Sequence, residues 1–250
     1  RRMIMPYLFM TFFLAVMVIL VRYARLPEIK PEADNSEEGK AGRQHIFRHR
    51  NLILGVVALF FYVGVEVISG DTIIRYGESL NIAMSSAKYF TSLMLVFMVI
   101  GYFFGVALIP RVISQKNALA ACASLGIILA IAAVSVPQTS IINLPFLDLV
   151  SFKPVTLTIP WTVLFVAMLG LANSLVWPAI WPLALAGAGK YTKTGSALLI
   201  MAIAGGATLP LVYGWLTQLL QSTQQAYWIA VPCYLIILFY AVWGYRIKKT

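Results

Sequence analysis

The chain has 250 residues, and 60% of them are hydrophobic while only 11% are charged, against roughly a quarter charged in a soluble globule. That balance excludes a soluble enzyme, a disordered tail and a disulfide-framed secreted domain. The formal net charge of +10 raises nucleic acid as a partner, and the distribution of the charges decides against it.

Seven runs follow one another along the chain, at 3–21, 52–70, 89–109, 118–136, 161–185, 196–220 and 226–245. Together they contain a single charged side chain, Glu66. About 20 apolar residues at 1.5 Å each cross a hydrocarbon layer roughly 30 Å thick, and only a helix keeps its backbone hydrogen bonds internal there. The expected fold class is therefore all-α: a polytopic membrane protein with seven transmembrane helices. Segments 22–50, 110–117, 186–195 and 246–250 fall on one side and carry fourteen Lys or Arg, against five on the other. This bias sets the amino terminus outside and the carboxyl terminus in the cytoplasm. The excess charge is thus topological, and no nucleic-acid partner is expected.

The first run, following Arg1 and Arg2, lacks both a small-residue cleavage site and an initiator Met, and reads as part of a longer chain. Residues 22–50 form a polar linker ahead of a six-helix unit at 51–250. His45 and His49 in it stand among Arg43, Arg48 and Arg50, a solvated basic collar rather than a metal pair. In the second run Glu66 is the outlier. An ionised carboxylate in the bilayer must be paired, protonated or hydrated by a cavity, and such residues mark ion or substrate pathways. Tyr62 lies one turn below on the same face. The alternative is a protonated, packed Glu. Asp71 and Arg75, four apart near the outer end, suit a local ion pair. In the third run Gly101 and Gly105 form a small-xxx-small pair suited to close helix packing.

After a turn bearing Arg111 and Lys116, the fourth run carries Cys122, expected like Cys233 to be a small buried apolar residue without a disulfide. The loop 137–160 has apolar patches at 141–149 and 155–159 and should lie partly in the interface. The fifth run stacks Asn173, Trp177 and Trp181 at spacing four. A bidentate amide beside an indole face suits a sugar, whose hydroxyls need donors and acceptors and whose C–H faces pack on aromatics. A Trp belt with a helix-packing Asn explains the same stripe. Pro178 and Pro182 remove helix donors nearby, and broken membrane helices are tolerated where they line cavities. Gly205 and Gly206 thin the sixth run. Tyr227 and Trp228 at one end of the seventh, and Trp243 and Tyr245 at the other, read as interfacial belts. No nucleotide loop, paired catalytic carboxylates, Ser/His/Asp set or metal spacing is found, so no enzyme, metal or cofactor is expected.

Several of these stretches together resemble a known family. They are 26–29 (LPEI), 61–67 (FYVGVEV) with 71–74 (DTII), 173–185 (NSLVWPAIWPLAL), 195–210 (GSALLIMAIAGGATLP) and 226–234 (AYWIAVPCY). The sequence is similar to the carboxyl-terminal half of a member of the fucose, galactose and glucose proton-symporter family of the major facilitator superfamily. The resemblance lies on the side of its bacterial glucose/galactose transporters. Segment 101–116 resembles the loop motif of that superfamily, with Tyr102 where a basic residue is common.

The resemblance implies two six-helix bundles, with residues 1–21 as the last helix of the first, 22–50 as the linker and 51–250 as the second. It implies a hexose bound between the bundles, with glucose or galactose expected and fucose as a further candidate. It also implies transport by rocking and energy from a transmembrane proton or sodium gradient. Tyr62, Glu66, Asn173 and Trp177 are then candidate sugar contacts, and Asp71, Arg75 and Arg111 candidate gating or ion-pair residues. The expected setting is a bacterial inner membrane, in contact with lipid, as a monomer once joined to the missing half. A drug or organic-solute exporter of the same superfamily and a non-transporting sugar receptor stay open as alternatives.

Overall fold

The computed structural model describes residues 4–23, 49–109, 111–148 and 153–246. The chain divides into two compact units, Arg1–Ala41 and Gly42–Thr250. In the first, helix α1 (Ile4–Tyr23) runs for 20 residues with Arg22 in its last turn, about 30 Å of apolar helix. The linker expected at 22–50, with His45, lies largely outside the described residues.

The second unit holds six helical spans of membrane length: Arg50–Ser79, Met84–Leu108, Gln115–Ser135, Trp161–Leu185, Thr192–Leu220 and Thr223–Arg246. With α1 they correspond to the seven runs read from the sequence. The first span is one helix, α2 (Arg50–Ser79). The second is α3 (Tyr89–Leu108) behind a single turn at Met84–Ala87, and the third is α4 (Gln115–Ser135).

Between the third and fourth spans the chain forms an antiparallel ribbon of β1 (Ile141–Asp148) and β2 (Lys153–Pro160), with Ile141 opposite Pro160 and Asp148 opposite Lys153. The segment expected as a loop thus contains a regular two-stranded ribbon. Val155, Leu157 and Ile159 alternate with Thr156 and Thr158. Leu157 and Ile159 are buried while both threonines are exposed, the period-2 signature of a half-buried strand.

The fourth span is broken into α5 (Trp161–Asn173) and α6 (Val176–Leu185). A proline ring clashes with the carbonyl four residues before it. For Pro178 that carbonyl belongs to Ser174, where the helix opens, one turn earlier than the prolines themselves. The fifth span joins α7 (Thr192–Met201) through a 3-10 turn, Ala202–Ala204, to α8 (Gly205–Leu220). The sixth starts at Thr223–Ala226 and continues through a 3-10 turn, Tyr227–Ile229, into α9 (Ala230–Val242). It ends in a 3-10 turn at Gly244–Arg246.

Helix α2 is the hub, packed against α3, α5, α6, α8 and α9. Small residues set the approach. Gly205 faces the Phe60 carbonyl and Gly206 faces Val63 and Val67, which brings α8 onto α2. Gly101 faces Ser174 and Gly105 faces Leu175, so α3 lies over the opening of the fourth span. A side chain at any of these positions would meet an atom of the partner helix, which is how small residues act between membrane helices.

The far end is closed by Gln224. Its Nε2 donates to the carbonyls of Ala133 (2.9 Å), Val134 (3.2 Å) and Val136 (2.8 Å), while its Oε1 accepts from Gln138 (2.8 Å). One buried amide thus satisfies carbonyls that the end of α4 leaves without helical partners. Tyr227 is fully buried, 5.4 Å from the Tyr76 ring and 5.0 Å from the Tyr213 ring. It is therefore a core residue and not part of the belt expected from the sequence. Trp228 and Trp243 are exposed, as belt residues would be, and Cys122 and Cys233 are buried free thiols.

Candidate functional site

Glu66 lies on α2 sixteen residues beyond Arg50, about 24 Å along the helix. The side chain is half-buried, and the Tyr62 hydroxyl, one turn back on the same face, lies within interaction range of its carboxyl group. Tyr62 is itself buried, and its ring lies 6.4 Å from that of Trp177 on α6. Trp177 stacks on Trp181 at 5.8 Å with 24° between the planes. Glu66, Tyr62 and Trp177 therefore form one polar-aromatic cluster across α2 and α6, in which Tyr62 is buried while Glu66 and Trp177 are partly exposed. Tyr102 on α3 and Tyr234 on α9 lie within electrostatic range of the Glu66 carboxyl.

Asn173 occupies a different environment. It is 0% exposed. Its Oδ1 accepts from the Tyr234 hydroxyl at 2.7 Å, and its Nδ2 donates to Ser69 Oγ at 3.3 Å. Ser69 Oγ in turn donates to the Glu66 carbonyl at 3.0 Å. The amide belongs to a buried chain that ties α9, α5 and α2 together at the level of the break. Of the two readings of the Asn173–Trp177 stripe, helix packing describes Asn173 in this conformation, and the partly exposed indole faces belong to Trp177 and Trp181.

The ion pair expected between Asp71 and Arg75 is not made. Both side chains are exposed, and neither has an ion-pair partner among the described residues. They sit at the end of the bundle where Thr91 Oγ1 donates to the Gly70 carbonyl at 2.7 Å. Arg111 follows the opposite end of α3 and is also exposed, with no ion-pair partner among the described residues. A 20-residue helix separates the two ends by about 30 Å, so the three charges do not converge.

Sequence reasoning missed Tyr234 and Ser69, and noted Tyr102 only as a departure from the loop motif and not as a neighbour of Glu66. Nothing in local spacing links Tyr234 to Asn173, which lies 61 residues away. Cavities of about 580 and 320 Å³ open elsewhere, around Ser79, Gln138, Gln221 and Thr223 at the far end, and neither touches Glu66.

The fold matches about half of a solved major facilitator superfamily transporter. The crystal structure of the major facilitator superfamily transporter FucP in the outward conformation superposes with a TM-score of 0.75. At 21% identity, the match covers 96% of this chain and 54% of that one. Among curated relatives, the glucose/galactose transporter of Brucella abortus (strain 2308) is 31% identical over 96% of this chain and 53% of its own length. The L-fucose-proton symporter of Escherichia coli (strain K12) is 27% identical over 94% of this chain and 50% of its own. The chain spans about half the length of the curated relatives it matches, and corresponds to their carboxyl-terminal half. No protein-family model matches it. The chain is thus a multi-pass membrane protein whose homologues are sugar transporters.

Proposed function

We propose that this chain forms the carboxyl-terminal half of a hexose symporter, a transporter and not an enzyme, driven by a transmembrane cation gradient, with protons as the coupled ion. The observation that carries the reading is the Glu66–Tyr62–Trp177 cluster. A partly exposed carboxylate beside a partly exposed indole face, with the buried Tyr62 phenol packed behind them, offers a neutral sugar hydrogen-bond acceptors together with a flat apolar platform. The names of the relatives, glucose/galactose transporter and L-fucose-proton symporter, support a hexose as the transported molecule.

The burial pattern supports a partner bundle. The second and fifth spans are only 28% buried, whereas the fourth is 67% buried. Two weakly covered helices flanking the Glu66 surface fit a face that a second six-helix bundle covers. A site between bundles is then a surface on either half alone, which accounts for the cavities lying elsewhere. With that partner supplied, we take the unit to be a monomer in a bacterial inner membrane. Its amino-terminal end lies outside and its carboxyl terminus in the cytoplasm.

Asn173 enters this reading as a positioning residue that holds Tyr234 beside Glu66. Asp71, Arg75 and Arg111 remain candidates for contacts made in another conformation. The test is uptake of labelled glucose, galactose and fucose by vesicles containing the full-length protein, with and without an imposed pH gradient. Gradient-dependent accumulation of one of these sugars supports the proposal. Binding without accumulation would indicate a receptor, and extrusion of an organic cation an exporter.

A further inference from the structure

Away from that surface, one end of the unit gathers positive charge that meets no counter-charge among the described residues. Lys116 stands in the first turn of α4 and Arg246 closes the sixth span. Because α4 and α9 pack side by side, the two cations meet at one phenol. Arg246 Nε donates to the Tyr245 hydroxyl at 2.8 Å, with the guanidinium carbon 5.5 Å from the ring centroid. The Lys116 ammonium lies 5.8 Å from the same centroid and interacts with the same hydroxyl. Neither cation has an ion-pair partner among the described residues. Among the described side chains, the carboxylates of Glu66, Asp71 and Glu78 lie in mid-span or toward the opposite end.

Two like charges sharing one phenol repel each other, and an anion between them removes that repulsion. What stands beside the pair identifies the anion. Leu235, Phe239, Trp243 and Arg246 follow at spacings of four, four and three, which place them on one helical face. Leu235 is 50%, Phe239 45% and Trp243 62% exposed, with the two rings 6.1 Å apart. The cations therefore head an exposed apolar lane. From Leu235 to Arg246 it is about 16 Å long at 1.5 Å per residue, close to the roughly 15 Å of hydrocarbon in one leaflet.

We infer that this is a binding site for an anionic phospholipid, whose phosphate lies between Lys116 and Arg246 and whose acyl chain follows Trp243, Phe239 and Leu235. A soluble phosphate would use the cations and leave the lane unused, whereas a zwitterionic lipid would use the lane with a weaker hold on the cations. The inference is independent of what the protein transports.

The test is lipid retention by the full-length protein in mild detergent, read by native mass spectrometry and by thermal unfolding. The additions are phosphatidylglycerol, phosphatidylcholine of the same chains and inorganic phosphate. Phosphatidylglycerol is expected to be retained at least tenfold better than phosphatidylcholine, and to lose that advantage in K116Q/R246Q. It should weaken in F239A/W243A, and weaken for the unmodified protein as salt rises. Equal retention of the two lipids, or undiminished phosphatidylglycerol binding in K116Q/R246Q, overturns the inference. Stabilisation by inorganic phosphate equal to that by phosphatidylglycerol, unchanged in F239A/W243A, also overturns it by making the site one for a free anion. The salt titration needs no variant, so binding that ignores salt overturns it even if K116Q/R246Q does not fold.

Discussion

The Tyr234 hydroxyl donates to Asn173 Oδ1 at 2.7 Å, and both side chains are fully buried where the fourth span breaks. The bond joins the last span to the residue that ends α5. Tyr234 also packs over Gly126 of α4, so three helices are referenced to this one contact.

Removing either partner leaves a buried polar atom unpaired, which costs about 1–3 kcal/mol. Tyr234→Phe and Asn173→Ala are both expected to lower the unfolding midpoint of the purified protein. The double variant should cost less than the two together, because they share one interaction. Additive losses in that cycle would show that the two residues are not coupled.

Glu66→Gln keeps the size of the side chain and its hydrogen-bonding capacity toward Tyr62 while removing the charge. If Glu66 carries the coupled proton, exchange of sugar across the membrane persists and pH-driven accumulation disappears. If the ionised carboxylate binds sugar, affinity falls several-fold, in line with about 0.5–1.5 kcal/mol for one hydrogen bond. Unaltered exchange and accumulation, measured side by side, would falsify both roles.

Trp177→Ala removes the indole beside Tyr62 and exposes Trp181. Sugar affinity is expected to drop about two- to tenfold, since an aromatic contact contributes about 0.5–1.5 kcal/mol beyond the area it buries. Trp181→Ala should have the smaller effect, because Trp181 touches Trp177 and not Tyr62. Competition binding on the two variants distinguishes the platform from simple packing.

Glycine substitutions on α8 should act in opposite directions. A Cβ at Gly205 meets the Phe60 backbone carbonyl, which cannot yield, and overpacking of this kind costs about 1–3 kcal/mol. Gly214, two and a half turns on, has open space around it. Gly214→Ala should therefore stabilise by roughly 0.5–1 kcal/mol through helix propensity alone. Thermal unfolding of the two variants checks the sign.

The orientation proposed from the charge bias can be tested directly. Single cysteines at Asn81 and Gln221 should react with an impermeant thiol reagent in intact cells, whereas one at Asn117 should be protected. Labelling of Asn117 from outside would reverse the topology.

Much of the architecture was legible because the bilayer acts as a uniform solvent. Any run long enough to cross it must be helical, so composition alone located the spans and singled out Glu66 as the one charge among them. Tyr62 followed from helical spacing, and the close packing at Gly101 and Gly105 from their size. The Val155–Ile159 alternation could have announced the ribbon, but its apolar content suggested an interfacial loop instead. The break at Ser174 was displaced from the prolines that cause it, because the clash falls four residues upstream. Spacing along one helix also put Asn173 and Trp177 in the same stripe, since it records a shared face and not what that face meets. Only the packing of distant helices decided that Asn173 is spent on Tyr234 and Ser69 while Trp177 joins Tyr62. It likewise buried Tyr227, kept Asp71 and Arg75 apart from Arg111, and brought Lys116 to Tyr245 and Arg246. Those contacts join residues tens to more than a hundred positions apart, and local sequence pattern carries no term for such pairs.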